Sequence, residues 1–146
     1  MRSLRSPDAP VVAPFMATLC VKGNEMGFQA IPILRIFDEE KAKDFYIGFL
    51  GMKLDWEHRF EKGFPTYMQV SRDNLIFHLS EHSGDCTPGS KVFVKTDQLD
   101  KLFREITSNN YKYSKPAIST APWGARIFEV TDPFSNRVLF NEEKNT

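Results

Sequence analysis

The side chains of this 146-residue sequence whose chemistry is least generic are its three histidines, two cysteines and two tryptophans. His78, Glu81 and His82 stand in the string HLSEH, the H-x-x-E-H order in which two histidines one helical turn apart hold a zinc ion. That geometry needs a helix. The string follows NLIF, which reads as a strand, and runs into SGDCTPG, where Gly84, Pro88 and Gly89 exclude a helix. Zinc-peptidase chemistry is therefore not expected. Cys20 and Cys86 lie far apart, outside any C-x-x-C pair, as suits reduced thiols in a cytoplasmic protein. No G-x-S-x-G string presents a nucleophile, His58, His78 and His82 have no evident relay partner, and no glycine-rich phosphate loop occurs.

What remains is aromatic. The chain holds 13 Phe, 4 Tyr and 2 Trp, which serve either a core or a site for flat, apolar ligands. Phe45, Phe49, Phe77, Phe93 and Phe103 fall on apolar faces and are expected in the core. Trp56, Phe60, Phe64 and Trp123 fall instead in loops and at strand ends, and Trp123 is framed by Pro122 and Gly124 as an exposed loop residue is. Asp55, Glu57 and Glu61 accompany the first aromatic group and could meet a positive charge. Arg126 is expected to pair with a carboxylate or a partner chain.

Composition sets the outer limits. With 41% hydrophobic residues the chain can bury a core, which excludes a disordered protein. The 19 basic and 19 acidic residues cancel, leaving no field to draw the chain onto nucleic acid or an anionic membrane. No stretch approaches the roughly 20 apolar residues of a membrane span. Arg2 and Arg5 followed by the apolar run Val11 to Val21 superficially resemble an export signal, but Pro10 and Pro14 break the helix it needs. Residues 1–25 are expected to be an extension, with the folded domain over residues 26–146.

The elements that must position these side chains are doubled. FQAIPILRIF reads as a strand. Asp38 caps a helix with Ala42, Phe45, Tyr46 and Phe49 at helical spacing, which Gly51 stops. Strands are expected over Lys53 to Arg59, Pro65 to Val70 and Leu75 to Leu79, with turns at Lys62, Gly63 and at Asp73, Asn74. The order then repeats: KVFVKT as a strand, a helix capped by Asp97 with Leu99, Leu102, Phe103 and Ile106 on one face, and strands near Lys112 to Ile118, Arg126 to Val130 and Arg137 to Phe140. Two β-α-β-β-β repeats result, over about residues 28–81 and 90–142. Half such a sheet cannot close around a core alone, so two units must combine, and the concave sheet faces away from the helices become the cleft.

The strings AIPILRIFDEEKAKDFYIGFLGMKLDW and PWGARIFEVTDPFSNRVLF carry a resemblance to the vicinal oxygen chelate superfamily, the glyoxalase and bleomycin resistance fold. Within it the sequence is most similar to the bleomycin resistance proteins, through the spacing of Pro122, Trp123, Gly124, Arg126, Phe128, Asp132, Pro133, Asn136 and Phe140. The resemblance implies an α+β fold of paired modules with curved mixed sheets in an intertwined homodimer. It implies Trp123 and Trp56, with Phe60 or Phe64, stacking on a cationic aromatic drug that is sequestered without chemistry, beside His78 and Arg126. The superfamily's metalloenzymes hold their metal at four strand positions, which fall here on Pro32, His78, Ser90 and Leu139, or one residue away on Ile31, Ile33, Lys91 and Phe140. Only His78 is a good ligand, so no metal, cofactor or catalytic residue is expected. The alternatives are a metal-dependent lyase or dioxygenase of the same fold and a noncatalytic binder of another metabolite. The near-neutral charge fits the scaffold less well than an acidic surface would, because a cationic drug gains from attraction.

Overall fold

The computed structural model describes residues 27–144. The expected extension over residues 1–25 lies outside the described residues. The chain divides after Ile31, and every element described here belongs to the unit beginning at Pro32.

Strand β1 (Ile33–Arg35) leads into helix α1 (Glu39–Lys43), which continues as a π-helical segment (Asp44–Phe49). Strands β2 (Lys53–Arg59), β3 (Thr66–Arg72) and β4 (Leu75–Ser80) complete the first module. The second runs β5 (Lys91–Thr96), α2 (Leu99–Thr107), β6 (Ser119–Thr120), β7 (Arg126–Thr131) and β8 (Arg137–Glu142). Each module forms one four-stranded sheet, ordered β1-β4-β3-β2 and β5-β8-β7-β6. In both, the first strand pairs parallel with the last and the other pairs are antiparallel. The α+β class and the doubled β-α-β-β-β order read from the sequence are the observed architecture.

Local chemistry explains the boundaries. The Asp38 carboxylate accepts a 2.9 Å hydrogen bond from the Lys41 amide, satisfying one orphan donor of α1. Gly51, at φ +74°, takes the left-handed conformation that releases the chain into β2. Between them the helix widens, with the Leu50 amide bonded to the Phe45 carbonyl five residues back. Two expectations are corrected. Helix α2 is capped by Gln98 without a side-chain bond, not by Asp97; the Gln98 amide bonds instead to Thr96 Oγ1. The strand expected from Lys112 to Ile118 is absent, and only Ser119 and Thr120 pair with β7, because Pro116 interrupts the run and offers no N–H to a ladder.

The core lies between the helices and one face of each sheet. Phe45, Tyr46, Phe49, Phe77 and Phe128 are buried there with Leu34, Ile36, Leu99 and Ile106, and Phe103 packs edge-on against Phe128 at 5.3 Å. Fully burying a side chain of this size contributes about 1.5–3 kcal/mol. Phe93 departs from the core assignment: Val92 and Val94 face the core, so strand alternation turns Phe93 to the opposite face, 50% exposed.

The β7–β8 turn clasps the two modules. Buried Asp132 accepts hydrogen bonds from Tyr46 Oη (2.7 Å), the Phe134 and Asn136 amides (2.8 Å each) and Asn136 Nδ2 (2.9 Å). Asn136 Nδ2 also donates to the Arg35 carbonyl of β1 at 2.8 Å. The string TDPFSN, part of the sequence's most specific signature, thus holds the modules together.

Candidate ligand-binding site

Strand alternation sorts the candidate residues by face. On the first sheet Leu34, Val70, Met68, Phe77 and Leu79 enter the core, so Ile33, Arg35, Tyr67, Gln69, His78 and Ser80 stand on the opposite face. Strand β2 reaches that face by a bulge. Its register with β3 slips between Leu54, opposite Val70, and Trp56, opposite Gln69. The extra residue turns Trp56 away from the helices and places Glu57 on the helix side, where it pairs with Lys43 at 3.0 Å.

Trp56 and Tyr67 lie nearly parallel, with centroids 6.0 Å apart and an interplanar angle of 9°. His78 meets both rings edge-on, at 5.4 Å from Trp56 and 5.2 Å from Tyr67. A directional chain of hydrogen bonds fixes Tyr67 and His78, while Trp56 Nε1 is buried without a partner. Gln69 Nε2 lies 3.1 Å from the Asp55 carboxylate, an acceptor only, so Gln69 Oε1 faces His78 Nε2 at 2.9 Å and His78 carries its proton there. Nδ1 is then an acceptor for the Tyr67 hydroxyl at 2.7 Å. Burial lowers the His78 pKa below its ordinary value of 6.5 and raises that of the Tyr67 phenol. Both are neutral at pH 7.

The same geometry bears on metal binding. Both ring nitrogens of His78 are engaged within the sheet. On β1 and β5 the open face is read by Ile33 and by Lys91 and Phe93, so Pro32 and Ser90 do not occupy it; Leu139 does. Among the described residues no group of three or more His, Cys, Asp or Glu side chains could hold a metal ion. The donor set does not fit the metal of the superfamily's enzymes. HLSEH is no exception: β4 ends at Ser80, and Glu81 accepts from the Thr66 amide at 2.9 Å.

The other candidates separate into groups. Trp123 stands on the second sheet's open face, 58% exposed, donating from Nε1 to Asn141 Oδ1 at 2.7 Å and lying 6.2 Å from Phe93. Phe60 and Phe64 face each other at 5.8 Å in the β2–β3 hairpin loop, 69% and 45% exposed. Arg126 shares the core parity of Phe128 and Val130, and its guanidinium grips Asp100 of α2 at 2.6 Å and Glu142 of β8 at 2.8 Å. The structure joins Trp56 to His78 and places Trp123, the phenylalanine pair and Arg126 elsewhere. Sequence reading missed Tyr67 and Gln69, which the alternation of TYMQVSR, with Met68 and Val70 apolar, could have revealed. Two clefts of about 480 and 520 Å³ lie apart from these walls, one between Met52 and Phe140, the other beside Tyr111 and Asp132.

Comparison with known proteins identifies the fold. The sequence matches the family model described as glyoxalase superfamily protein over residues 17–146. No curated protein matches it. A bleomycin-binding protein complexed with bleomycin has the same fold, at a TM-score of 0.63 and 20% identity, covering 80% of this chain and 99% of that one. The bleomycin resistance determinant encoded on transposon Tn5 gives 0.64 and 20%, with 81% and 99% covered. TnmS3, an antibiotic binding protein from Streptomyces sp. CB03234, gives 0.57 and 19%, with 82% and 100% covered. With a family match over most of its length and paired sheets of the same design, this chain belongs to the glyoxalase superfamily.

Proposed function

We propose that this protein binds a small molecule without a metal and sequesters it, in the manner of a bleomycin resistance protein acting in the cytoplasm. The observation that carries this reading is the aromatic wall of Trp56, Tyr67 and His78, in which hydrogen bonds hold Tyr67 and His78 and leave His78 no free nitrogen for catalysis. Trp123 and Phe93 supply a second aromatic surface on the other sheet. A homodimer that sets the first sheet of one copy against the second sheet of the other encloses a flat ligand between the two surfaces. Solved structures described as bleomycin-binding and antibiotic-binding support the ligand class. Among the described residues no helix is long and apolar enough to cross a membrane.

The expected cationic character of the ligand has weaker support than its flatness. Asp55 accepts from Gln69 with one oxygen and lies 3.6 Å from Lys53 with the other, which is buried without a hydrogen-bond partner, and Glu57 is paired with Lys43 at 3.0 Å.

Isothermal titration with bleomycin, with metal analysis of untagged protein, tests the reading. The expected result is saturable binding without stoichiometric metal, weakened about 2- to 12-fold in Trp123→Ala, the value of one aromatic contact of about 0.5–1.5 kcal/mol. Absence of heat and of thermal shift would reject bleomycin-type drugs. A stable monomer in sedimentation would reject the shared cleft.

A further inference from the structure

Among the described residues Arg35 has a guanidinium nitrogen, Nη1, that is buried without a hydrogen-bond partner, and its side chain makes no hydrogen bond and no ion pair. The guanidinium carbon sits 4.5 Å from the Phe37 ring centroid. A half-buried guanidinium flanked by an aromatic ring is costly to leave unpaired and is shaped to take a planar oxyanion through two parallel N–H groups.

Its position ties it to the aromatic wall. Arg35 pairs in register with Ser80, and Ser80 with Tyr67, so the three share one side of the sheet, with Ser80 itself fully buried between the two half-buried side chains. Neighbouring strands are about 4.8 Å apart, so Arg35 and Tyr67 are separated by about 10 Å, the length of a fused bicyclic ring bearing a carboxylate. Asp85, the carboxylate nearest this row, is held by Ser80 Oγ at 2.6 Å and is not in ion-pair contact with Arg35. On the first open face Arg35 and Lys53 stand against Asp55 and the nearby Asp85, an even balance, and on the second Lys91, Lys95 and Arg137 stand against Glu129 and the Glu143 beside Asn141, an excess of one positive charge. Lys91 and Arg137 both converge on Glu129, at 3.2 and 3.9 Å, so its single charge is already oversupplied.

We infer that the site takes a flat aromatic ligand bearing an anionic group, with the ring on the Trp56 and Tyr67 wall and the anion on Arg35. The inference rests on the aromatic wall being the binding surface, as proposed above, and replaces the positive charge expected of the ligand with a negative one.

A matched pair of probes separates the two ideas. The full-length protein is titrated with 2-naphthoate and with the isosteric neutral 2-naphthamide, followed by tryptophan fluorescence and by the NMR signals of the Trp56 indole and the Arg35 Nε–H. Naphthoate is expected to bind at least about tenfold more tightly, as one charge-assisted pair provides. Both probes should move the Trp56 signal, and naphthoate alone should move that of Arg35. Arg35→Met should abolish the preference while keeping naphthamide affinity, and Arg35→Lys should retain part of it. Equal binding of the two probes, or a preference that survives in Arg35→Met, overturns the anion assignment and leaves the wall intact. If neither probe binds, the wall itself is refuted and the anion assignment with it. The Arg35 resonance decides the question in the unaltered protein should the variants fail to fold.

Discussion

Tyr67 donates its phenolic proton to Nδ1 of His78 across 2.7 Å, and this bond defines what the histidine of the open face can be. With Nε2 already donating to Gln69 at 2.9 Å, the imidazole is held in one neutral tautomer and presents its edge to Trp56 and Tyr67. The resemblance to the superfamily implies a metal-ligand position at His78. Here the surrounding residues have turned it into a strut of an aromatic wall.

The strut has a pH signature. Burial lowers the folded-state pKa of His78 below 6.5, so between the two values the unfolded chain binds more protons than the folded one. Stability is therefore full above about pH 7 and is lost as pH falls through 6.5 and then through the folded-state pKa. The melting temperature of the wild type should decline over that window, and His78→Gln, offset by its lost hydrogen bonds, should not show the decline. Parallel curves for the two proteins between pH 5 and 8 would mean that His78 titrates normally.

The Asp132 clasp should be the most sensitive polar position in the fold. Removing its carboxylate in Asp132→Ala strands the Tyr46 hydroxyl and the amides of Phe134 and Asn136, each left unsatisfied at about 1–3 kcal/mol. A loss of at least about 3 kcal/mol is expected in urea unfolding, against about 1 kcal/mol for Tyr46→Phe, which deletes only one of the bonds. Equal losses would show that the bond to the Tyr46 hydroxyl carries all of the Asp132 contribution.

The fold was legible because its signals are local and repeated. Asp38 and Gly51 mark the ends of one helical segment, and period-two runs such as KVFVKT mark strands, so the doubled order could be read along the chain. The site was legible only in part. Trp56 and His78 were identified as candidates, but their meeting depends on the bulge after Leu54, which changes the face of every residue beyond it and has no signature in KLDWEH. Phe93 was assigned to the core because an aromatic residue between two valines reads as buried, whereas alternation exposes it. Arg35 could not be singled out at all, since a missing partner is a property of packing and not of sequence.

Arg126 gives the cleanest test of that separation. The resemblance implies a ligand contact for it and its residue type a carboxylate partner; on the core side of β7 it binds the carboxylates of Asp100 and Glu142. Those carboxylates hold its guanidinium above its usual pKa, and Arg126 in turn holds theirs below the ordinary carboxylate range. The cluster is exposed, so its contribution is open to screening by salt. Arg126→Met should melt below the wild type in low salt and approach it in 1 M salt, where the Debye length falls to about 3 Å. Affinity for bleomycin or 2-naphthoate should be unchanged in the same protein. A weakened affinity with an unaltered melting curve would instead move Arg126 from the seam between α2 and β8 to the ligand itself.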